Sequence, residues 1–379
     1  MSPIVHGTRA VKRCITCMVN ELINYKNMNF LLVYFDYKHQ KEKYLKQIET
    51  HVKERVIHIP QRLMIPLWKR YSLPNFETLL SENDLFYVNE FYFPPSKKAT
   101  ILATIHGLFY EVIPEKISPK KVKFYREGLS FILKHADYLV AVSESTKKDL
   151  IQYGGVNPER IYVVTHGVDN KFQHCLDQEK VRRRIKKNYG LQDPYILFVG
   201  AIAIHKNVMG ILSAYNLLSN EIPHHLVMAG PPDSAWDSAN LFAYKNDLID
   251  RIHFLGHVFD TDKLVDLYNA ADIFVFPSFY EGWTSPPLES MACGTPVITS
   301  NCSSLPETVG EAAILVDPYD TKYLANEMAI LLTDKKLQQE MIEKGYEHVE
   351  KHTWKNSAAK LAKIFADVLS KGRCMDRNL

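Results

Sequence analysis

The chain has 379 residues, a hydrophobic fraction of 46%, a charged fraction of 23% and a formal net charge of +3. This length allows two domains with full cores, and the composition is that of an ordinary soluble globular protein. The net charge is too small to argue for nucleic-acid binding, and no nucleic-acid partner is expected. The local basic run 180–187, KVRRRIKK, is interpreted as the solvated face of a helix.

Cysteine usage and hydropathy indicate the compartment. Cys14 and Cys17 form a lone C-x-x-C in a helix-like segment without a second pair, which favours a structural role over a metal or redox site. The six scattered cysteines fit a reducing cytosol. No apolar run has the length of a membrane span and no signal peptide is visible, so a cytoplasmic location is expected. Peripheral contact with the inner membrane surface is left open.

The amino-terminal half alternates helix and strand patterns, which is typical of a parallel α/β domain. A helix is predicted over 10–24, and strands are predicted over 30–35, 55–59, 85–89, 99–105, 137–142 and 160–165. Because only six residues precede Gly7, a strand ahead of the first helix is expected to be short, altered or missing.

The carboxyl-terminal half repeats this alternation. Buried strands are predicted over 195–200, 225–230, 252–256, 273–276, 295–299 and 312–316, and a final amphipathic helix is predicted over 354–369. Asp260-Thr-Asp262 precedes a helical pattern, which favours helix capping over metal binding, so no metal site is expected.

The most informative stretch runs from Phe274 to Glu307 and reads as strand, loop, helix and strand. Its loop follows the carboxyl end of a strand, where open α/β sheets bind ligands. Gly282 lets backbone N–H groups approach a ligand, and a helix amino terminus favours anions. Glu281 and Glu289 are acceptors for hydroxyl groups. Taken singly, a loop carboxylate and a helix surface charge explain the two glutamates about equally well.

The string Glu281-Gly-Trp-Thr-Ser-Pro-Pro-Leu-Glu289 resembles the E-G-F-G-x-P-x-L-E pattern of the retaining glycosyltransferases of family 4. Trp283 replaces the usual Phe and Thr284 replaces a Gly. The resemblance extends from about Pro60 to about Phe365. It implies an α/β protein of the GT-B fold, with two doubly wound Rossmann-like domains facing a cleft. The first domain would span 1–172 and face the acceptor, and the second would span 190–351 and bind the nucleotide sugar. Residues 352–379 would form a helix that crosses back to the first domain.

The resemblance also implies a donor site on the second domain. The donor-binding residues would be Gly200, His205, Lys206, Asn207, Gly230, Glu281, Gly282, Trp283, Thr284, Ser285 and Glu289. Lys206 would neutralise the diphosphate, helped by a protonated His205, because Ala201 stands where many members have Arg. Glu281 and the backbone amides of 283–285 would orient the sugar, and Glu289 would hold the ribose. The alternative for Lys206 is an exposed helix-start lysine.

Two sites in the first domain follow from the same resemblance. Thr104-Ile-His106 resembles the family's T-[IV]-H-D, with Gly107 in place of Asp, which implies that His106 contacts the donor sugar. His106, Lys206 and Glu281 are therefore the candidate catalytic residues. Gly7, Arg9 and Arg13 fall where the family faces the acceptor. Ordinary amino-terminal charge explains the two arginines equally well.

The implied activity is retaining transfer of a hexose from a nucleotide sugar to a glycan or lipid-linked acceptor, without a metal or other cofactor. The Lys206-Asn207 pair and the spacing from His106 to Pro114 resemble the mannosyltransferase-like branch of the family, which implies mannose, with GDP-mannose as the donor. Two alternatives stay open. One is a glycosidase that uses Glu281 and Glu289 as its carboxylate pair. The other is a non-catalytic GT-B homologue that acts as a binding or partner protein.

Overall fold

The computed structural model describes residues 9–36, 52–80, 83–191 and 194–374. The chain divides into two compact units. The amino-terminal unit contains the chain up to Glu111, Ser118–Gly167 and the chain from Trp354 onward. The carboxyl-terminal unit contains Val112–Ile117 and Val168–Thr353. The second unit is therefore almost continuous in sequence, whereas the first is assembled from distant segments.

Six strands and six helices lie in the described chain before residue 168. The strands are β1 Leu31–Phe35, β2 Lys53–Ile57, β3 Leu85–Val88, β4 Thr100–Ile105, β5 Tyr138–Ala141 and β6 Ile161–Val163. The helices are α1 Arg9–Leu22, α2 Gln61–Tyr71, α3 Phe76–Leu80, α4 Phe109–Val112, α5 Pro119–His135 and α6 Glu144–Gly154. The predicted strands are confirmed, but β2 begins two residues before its predicted start. Leu31 pairs with Lys53 in the parallel register, so β2 begins with the three charged residues Lys53, Glu54 and Arg55.

The strands of the amino-terminal unit form two parallel sheets. One has two strands, β1-β2, and the other has four, in the order β3-β4-β5-β6. Among the described residues, β1 and β3 are not paired with each other. A cavity of about 910 Å³ is lined by both of these strands and by α1. The prediction that the first strand is short, altered or missing concerns residues 1–8, which lie outside the described residues.

A helix from the end of the chain completes the core of the amino-terminal unit. This helix, numbered α15 and spanning Trp354–Lys371, buries Leu361 and Phe365 in the same cluster as Met18 and Leu22 of α1. Tyr162 of β6 also donates a short hydrogen bond, of 2.5 Å, to Asp367 of α15. Residues from α1 and α15, at the two ends of the described chain, thus share one hydrophobic core.

Six strands and eight helices form most of the carboxyl-terminal unit. The strands are β7 Tyr195–Val199, β8 His225–Ala229, β9 Ile252–Gly256, β10 Ile273–Phe276, β11 Val297–Ser300 and β12 Ala313–Val316. The helices are α7 Gln178–Tyr189, α8 Val208–Leu218, α9 Trp236–Lys245, α10 Thr261–Ala270, α11 Pro286–Ala292, α12 Leu305–Val309, α13 Thr321–Thr333 and α14 Lys335–Val349.

The second unit has one parallel sheet in the order β12-β11-β10-β7-β8-β9. The chain therefore starts in the middle of the sheet, builds outward to β9, and then returns to the other side of β7. All four residues of β10 are buried, as expected of a strand covered on both faces. The reversal of strand order between β7 and β10 creates a crevice at the carboxyl ends of these two strands.

Asp260, the residue before α10, caps that helix, as the sequence predicts. The carboxylate of Asp260 accepts a hydrogen bond of 2.9 Å from the backbone N–H of Asp262. Within residues 9–36, 52–80, 83–191 and 194–374, no group of three or more His, Cys, Asp or Glu side chains could hold a metal ion. In the same part of the chain, no helix combines the length and apolarity needed to cross a membrane.

Candidate functional site

Two candidate residues meet at the crevice of the carboxyl-terminal sheet. Strands β7 and β10 are neighbours, with Ile273 opposite Ile196. Lys206 ends the short 3₁₀ turn that follows β7, and Glu281 lies in the loop that follows β10. Because parallel strands end at the same edge of a sheet, these two loops come together there. The sheet topology thus joins two residues that are 75 positions apart in the sequence.

Lys206 and Glu281 form a largely buried ion pair. The Lys206 Nζ lies 2.5 Å from the Glu281 Oε1, and the two side chains are only 16% and 10% exposed. The Nζ also lies 5.0 Å from the ring centroid of Phe276 at the end of β10. Lys206 is therefore a fixed cation rather than an exposed helix-start lysine. An ammonium group has three N–H donors, so two remain to meet an anionic ligand.

Two serines after β11 hold the backbone of Glu281. The Ser303 hydroxyl accepts a hydrogen bond of 2.9 Å from the Glu281 N–H, and the Ser304 hydroxyl donates one of 2.9 Å to the Glu281 carbonyl. Ser303 adopts a φ of 52°, which is uncommon for a residue other than glycine. The sequence pattern alone assigns these serines no role. Their position after a strand adjacent to β10 is the signal that would have pointed to them.

The turn after β7 is fixed by internal hydrogen bonds. The carbonyl of the half-buried His205 accepts a hydrogen bond of 2.9 Å from the N–H of Phe279 in the Glu281 loop. Asn207 has a φ of 55° and is 5% exposed, and its amide donates a hydrogen bond of 2.6 Å to the carbonyl of Pro318. The Asn207 side chain therefore shapes the turn that presents Lys206.

Gly230 allows the ends of β7 and β8 to approach closely. A Cβ atom built on Gly230 would overlap the carbonyl oxygen of Gly200. Because that carbonyl belongs to the backbone, a side chain at residue 230 would require one strand end to move. Gly230 is thus needed for the shape of the crevice, whether or not it contacts a ligand.

Glu289 is buried, so it is not a charge on the helix surface. It sits on α11, is 2% exposed, and its Oε2 accepts a hydrogen bond of 3.0 Å from the Tyr268 hydroxyl. Pro286 and Pro287 are the first two residues of α11 and have no N–H group. The amino terminus of this seven-residue helix therefore offers fewer anion-binding donors than the sequence analysis assumed.

The loop between Glu281 and α11 carries the remaining predicted donor contacts. Gly282 and Thr284 are buried, whereas Trp283 and Ser285 are partly exposed. The Trp283 indole N–H is buried and has no hydrogen-bond partner within the described ranges. Its ring centroid lies 5.5 Å from that of His352, and burial lowers the pKa of His352 to about 4. The loop thus places one unused donor, on Trp283, beside the neutral imidazole of His352.

His106 follows β4 in the amino-terminal unit and lies beside a second histidine. The ring centroids of His106 and His166 are 5.8 Å apart, and His166 stacks on Trp354 at 5.5 Å. Burial lowers the pKa of His106 to about 4, so its imidazole is neutral near pH 7. Its Nε2 has no hydrogen-bond partner in the part of the chain that the structure describes. His106 can therefore serve as a hydrogen-bonding group but not as a cation.

The predicted acceptor-side residues are only partly described. Gly7 lies outside the described residues. Arg9 begins α1, but its side chain is also outside what the structure describes. Arg13 lies on α1 with a half-buried side chain.

Two family models match successive parts of the chain. Residues 30–172 match the model described as Glycosyltransferase Family 4. Residues 179–348 match the model described as Glycosyl transferases group 1. The second match contains every predicted donor-binding residue.

Similar proteins of known activity include bacterial mannosyltransferases. The chain is 28% identical over 303 residues to the O-antigen chain mannosyltransferase B of Escherichia coli, covering 78% of this chain and 76% of that protein. It is 30% identical over 245 residues to the Escherichia coli serotype-specific mannosyltransferase WbdA, but this match spans only 30% of that longer protein. A D-inositol 3-phosphate glycosyltransferase of Corynebacterium glutamicum is 29% identical over 248 residues, which are 63% of this chain and 59% of that protein.

Solved structures share the architecture at low sequence identity. A sucrose-phosphate synthase from Thermosynechococcus elongatus superposes with a TM-score of 0.76 at 20% identity, covering 97% of this chain and 94% of that chain. Anabaena HepE in complex with UDP and glucose gives a TM-score of 0.71 at 16% identity, covering 93% and 95%. These likenesses show two Rossmann-like domains of the GT-B type. The two family matches, with the similarity to curated glycosyltransferases, show that the chain belongs to the family 4 glycosyltransferases and is an enzyme.

Proposed function

We propose that this glycosyltransferase transfers mannose from GDP-mannose, with retention at the anomeric carbon, to a glycan or lipid-linked acceptor. The observation that carries the proposal is the buried pair of Lys206 and Glu281 at the crevice of the nucleotide-binding sheet. It places a cation and a hydroxyl-binding carboxylate side by side, as a sugar diphosphate requires. The similarity to bacterial mannosyltransferases supports mannose as the transferred sugar.

In this proposal, Lys206 acts on the leaving group. The bond between the anomeric carbon and the phosphate oxygen breaks, and negative charge grows on the departing diphosphate. A fixed ammonium group in a site sheltered from water stabilises that charge without reorganisation. The acceptor oxygen bonds to the anomeric carbon on the same face, and its proton passes to the departing phosphate. Neither step requires a second carboxylate as a base.

The two glutamates have different roles in the proposal. The Oε1 of Glu281 accepts a hydrogen bond from the Lys206 Nζ. Its Oε2 has no hydrogen bond among the described residues and can accept hydrogen bonds from sugar hydroxyls. The clamp of Ser303 and Ser304 on the Glu281 backbone limits the loss of entropy when the sugar binds. Glu289 would hold the ribose through the oxygen that faces away from Tyr268.

The two alternatives are less well supported. A glycosidase needs two carboxyl groups that flank the scissile bond. Glu281 lies on a loop and Glu289 lies on the helix that follows this loop, so the two carboxyl groups are poorly placed to flank one bond. A non-catalytic role has Ala201 and Gly107 in its favour, because both depart from the family pattern, but the intact pair of Lys206 and Glu281 opposes it.

The donor is tested by thermal shift. We expect GDP and GDP-mannose, each at about 100 times its dissociation constant, to stabilise the protein by about 2.7 kcal/mol, a rise of several degrees in Tm. UDP-, dTDP- and ADP-sugars at the same concentration are the matched controls. Stabilisation by UDP-sugars alone would show that the donor is a UDP-sugar and not GDP-mannose. Stabilisation by none of these compounds would argue against a nucleotide-sugar site.

Transfer is expected to persist in EDTA. Lys206 supplies the positive charge that a divalent ion provides in metal-dependent transferases, so the proposal includes no metal. The measurement is the rate of transfer from GDP-mannose with 5 mM EDTA, against the rate with Mg²⁺ or Mn²⁺ added back. A rate that falls on chelation and recovers with either metal would contradict a metal-free reaction.

A further inference from the structure

A short segment between two parts of the amino-terminal unit belongs to the carboxyl-terminal unit. It consists of Val112–Ile117, and we call it the strap. The strap contains a 3₁₀ turn, Pro114–Lys116. Within this turn, the N–H of Lys116 donates a hydrogen bond of 3.0 Å to the carbonyl of Ile113, which is buried. The backbone of Lys116 is therefore held in place on the carboxyl-terminal unit.

The side chain of Lys116 packs on two aromatic rings of the carboxyl-terminal unit. Its Nζ lies 3.8 Å from the ring centroid of Phe279 and 5.3 Å from that of Tyr319. The centroids of these two rings are 4.8 Å apart. A cation within about 6 Å of a ring centroid is attracted to the negative face of the ring, and more strongly where water is excluded. Because Lys116 is half-buried, its ammonium group joins the two rings into one cluster.

Phe279 belongs to the loop that carries Glu281. It precedes Glu281 by two residues, and its N–H donates the hydrogen bond of 2.9 Å to the carbonyl of His205, the neighbour of Lys206. The ring of Phe279 is therefore attached to a backbone that contacts both members of the ion pair. A group that holds this ring also holds the loop.

Tyr319 belongs to the loop that follows β12. The carbonyl of the preceding residue, Pro318, accepts the hydrogen bond of 2.6 Å from the side-chain amide of Asn207. The side chain of Tyr319 is 67% exposed, so burial in a core does not fix its position. The turn of Lys206 is thus bonded to one loop through His205 and to a second loop through Asn207. Lys116 joins the aromatic residues of these two loops.

We infer that Lys116 is a positioning residue for sugar transfer, which holds the two loops together and thereby fixes the pair of Lys206 and Glu281. This inference rests on the proposed function, because the proposed function assigns the pair to the transfer. A displacement of about 1 Å in a reacting group can lower a rate about 10²-fold. The attraction between Lys206 and a diphosphate varies only gradually with distance. Loss of the Lys116 contact should therefore slow transfer more than it weakens nucleotide binding.

The test measures kcat and GDP affinity for variants of the full chain. The donor is the nucleotide sugar that gives the largest stabilisation in the thermal-shift panel. Lys116→Met keeps the aliphatic stem and removes the charge, so kcat should fall about 10-fold, whereas GDP affinity should change by less than about threefold. Lys116→Arg keeps a cation over the rings and should restore kcat to within about threefold of the wild type. Lys120→Met, which changes an exposed lysine at the start of α5, is the matched control and should alter neither value.

A double-mutant cycle tests whether Lys116 acts through Phe279. Phe279→Leu removes the ring that faces the ammonium group and should lower kcat by a factor similar to that of Lys116→Met. When Phe279→Leu is already present, Lys116→Met should lower kcat by less than about twofold more, because the contact is already lost. The Tm of each variant verifies that it is folded.

The inference is overturned if Lys116→Met transfers sugar as fast as the wild type, or if the two losses multiply in the double variant. It is also overturned if GDP affinity falls as much as kcat, which would make Lys116 part of the nucleotide site. An active wild type with an insensitive Lys116→Met variant would remove the role of Lys116 alone and leave the proposed function standing. A wild type that binds no nucleotide sugar would overturn the proposed function and this inference with it.

Discussion

Replacing Lys206 with alanine is expected to lower the rate of sugar transfer by about 10²–10³-fold, the cost of losing one preorganised charge-stabilising group. Ala201 leaves the diphosphate without the arginine that many family members have, so Lys206 is left nearly alone. The measurement is the single-turnover transfer rate from GDP-mannose. A Lys206→Ala enzyme with a rate near that of the wild type would place the phosphate site elsewhere.

The structure adds a stability component to this prediction. Removing Lys206 leaves the Glu281 carboxylate, 10% exposed, without its cation. An unpaired charge in that position costs stability, so Lys206→Ala should also lower Tm by a few degrees. Lys206→Ala combined with Glu281→Gln should recover most of that Tm but none of the rate. Lys245→Ala, which changes an exposed lysine of the same unit, is the matched control and should alter neither.

Glu289→Ala is expected to weaken nucleotide binding by about 1.5–3 kcal/mol, or roughly 10–150-fold, if its carboxylate accepts hydrogen bonds from the ribose. The variant should also lose about 1–3 kcal/mol of stability, because the buried Tyr268 hydroxyl loses its acceptor. Titration calorimetry with GDP and urea denaturation measure the two effects separately.

The substitution Tyr268→Phe separates these two roles of Glu289. It removes the internal hydrogen bond but keeps the carboxylate, so GDP affinity should change by less than about threefold. Glu289→Gln keeps an acceptor for Tyr268 and should recover stability more than affinity. If Glu289→Ala binds GDP like the wild type, Glu289 is only a structural partner of Tyr268.

Much of the fold could be predicted because its local signals are strong. The run Ile273–Phe276 is apolar throughout and is bounded by Pro277, and it forms a buried strand as predicted. The carboxylate of Asp260 caps α10 because a short acceptor at that position satisfies a free backbone N–H. The early start of β2 could not be predicted. Lys53 and Glu54 have no apolar pattern, and their pairing with β1 decides the strand.

The parts of the site that escaped prediction depend on contacts across the sheet. The string around Glu281 and the turn at Lys206 identified both residues, but not their ion pair, because 75 positions separate them. By its spacing in the sequence, Glu289 resembles a surface glutamate. In the structure it is buried and accepts a hydrogen bond from Tyr268, which lies on a different helix. Ser303 and Ser304 look like ordinary loop residues until β11 places them beside the Glu281 loop.

The discontinuous make-up of the amino-terminal unit affects how the protein is synthesised. Ribosomes deliver the chain from the amino end, yet the core beneath β4 and β5 is closed by Leu361 and Phe365 of α15. That helix emerges only after all of Val168–Thr353 has been made. The second unit can therefore fold first, which reverses the usual amino-to-carboxyl order of domain folding during synthesis. Until α15 arrives, the nascent first unit leaves apolar surface uncovered, which makes it a natural client for chaperones that bind such surface.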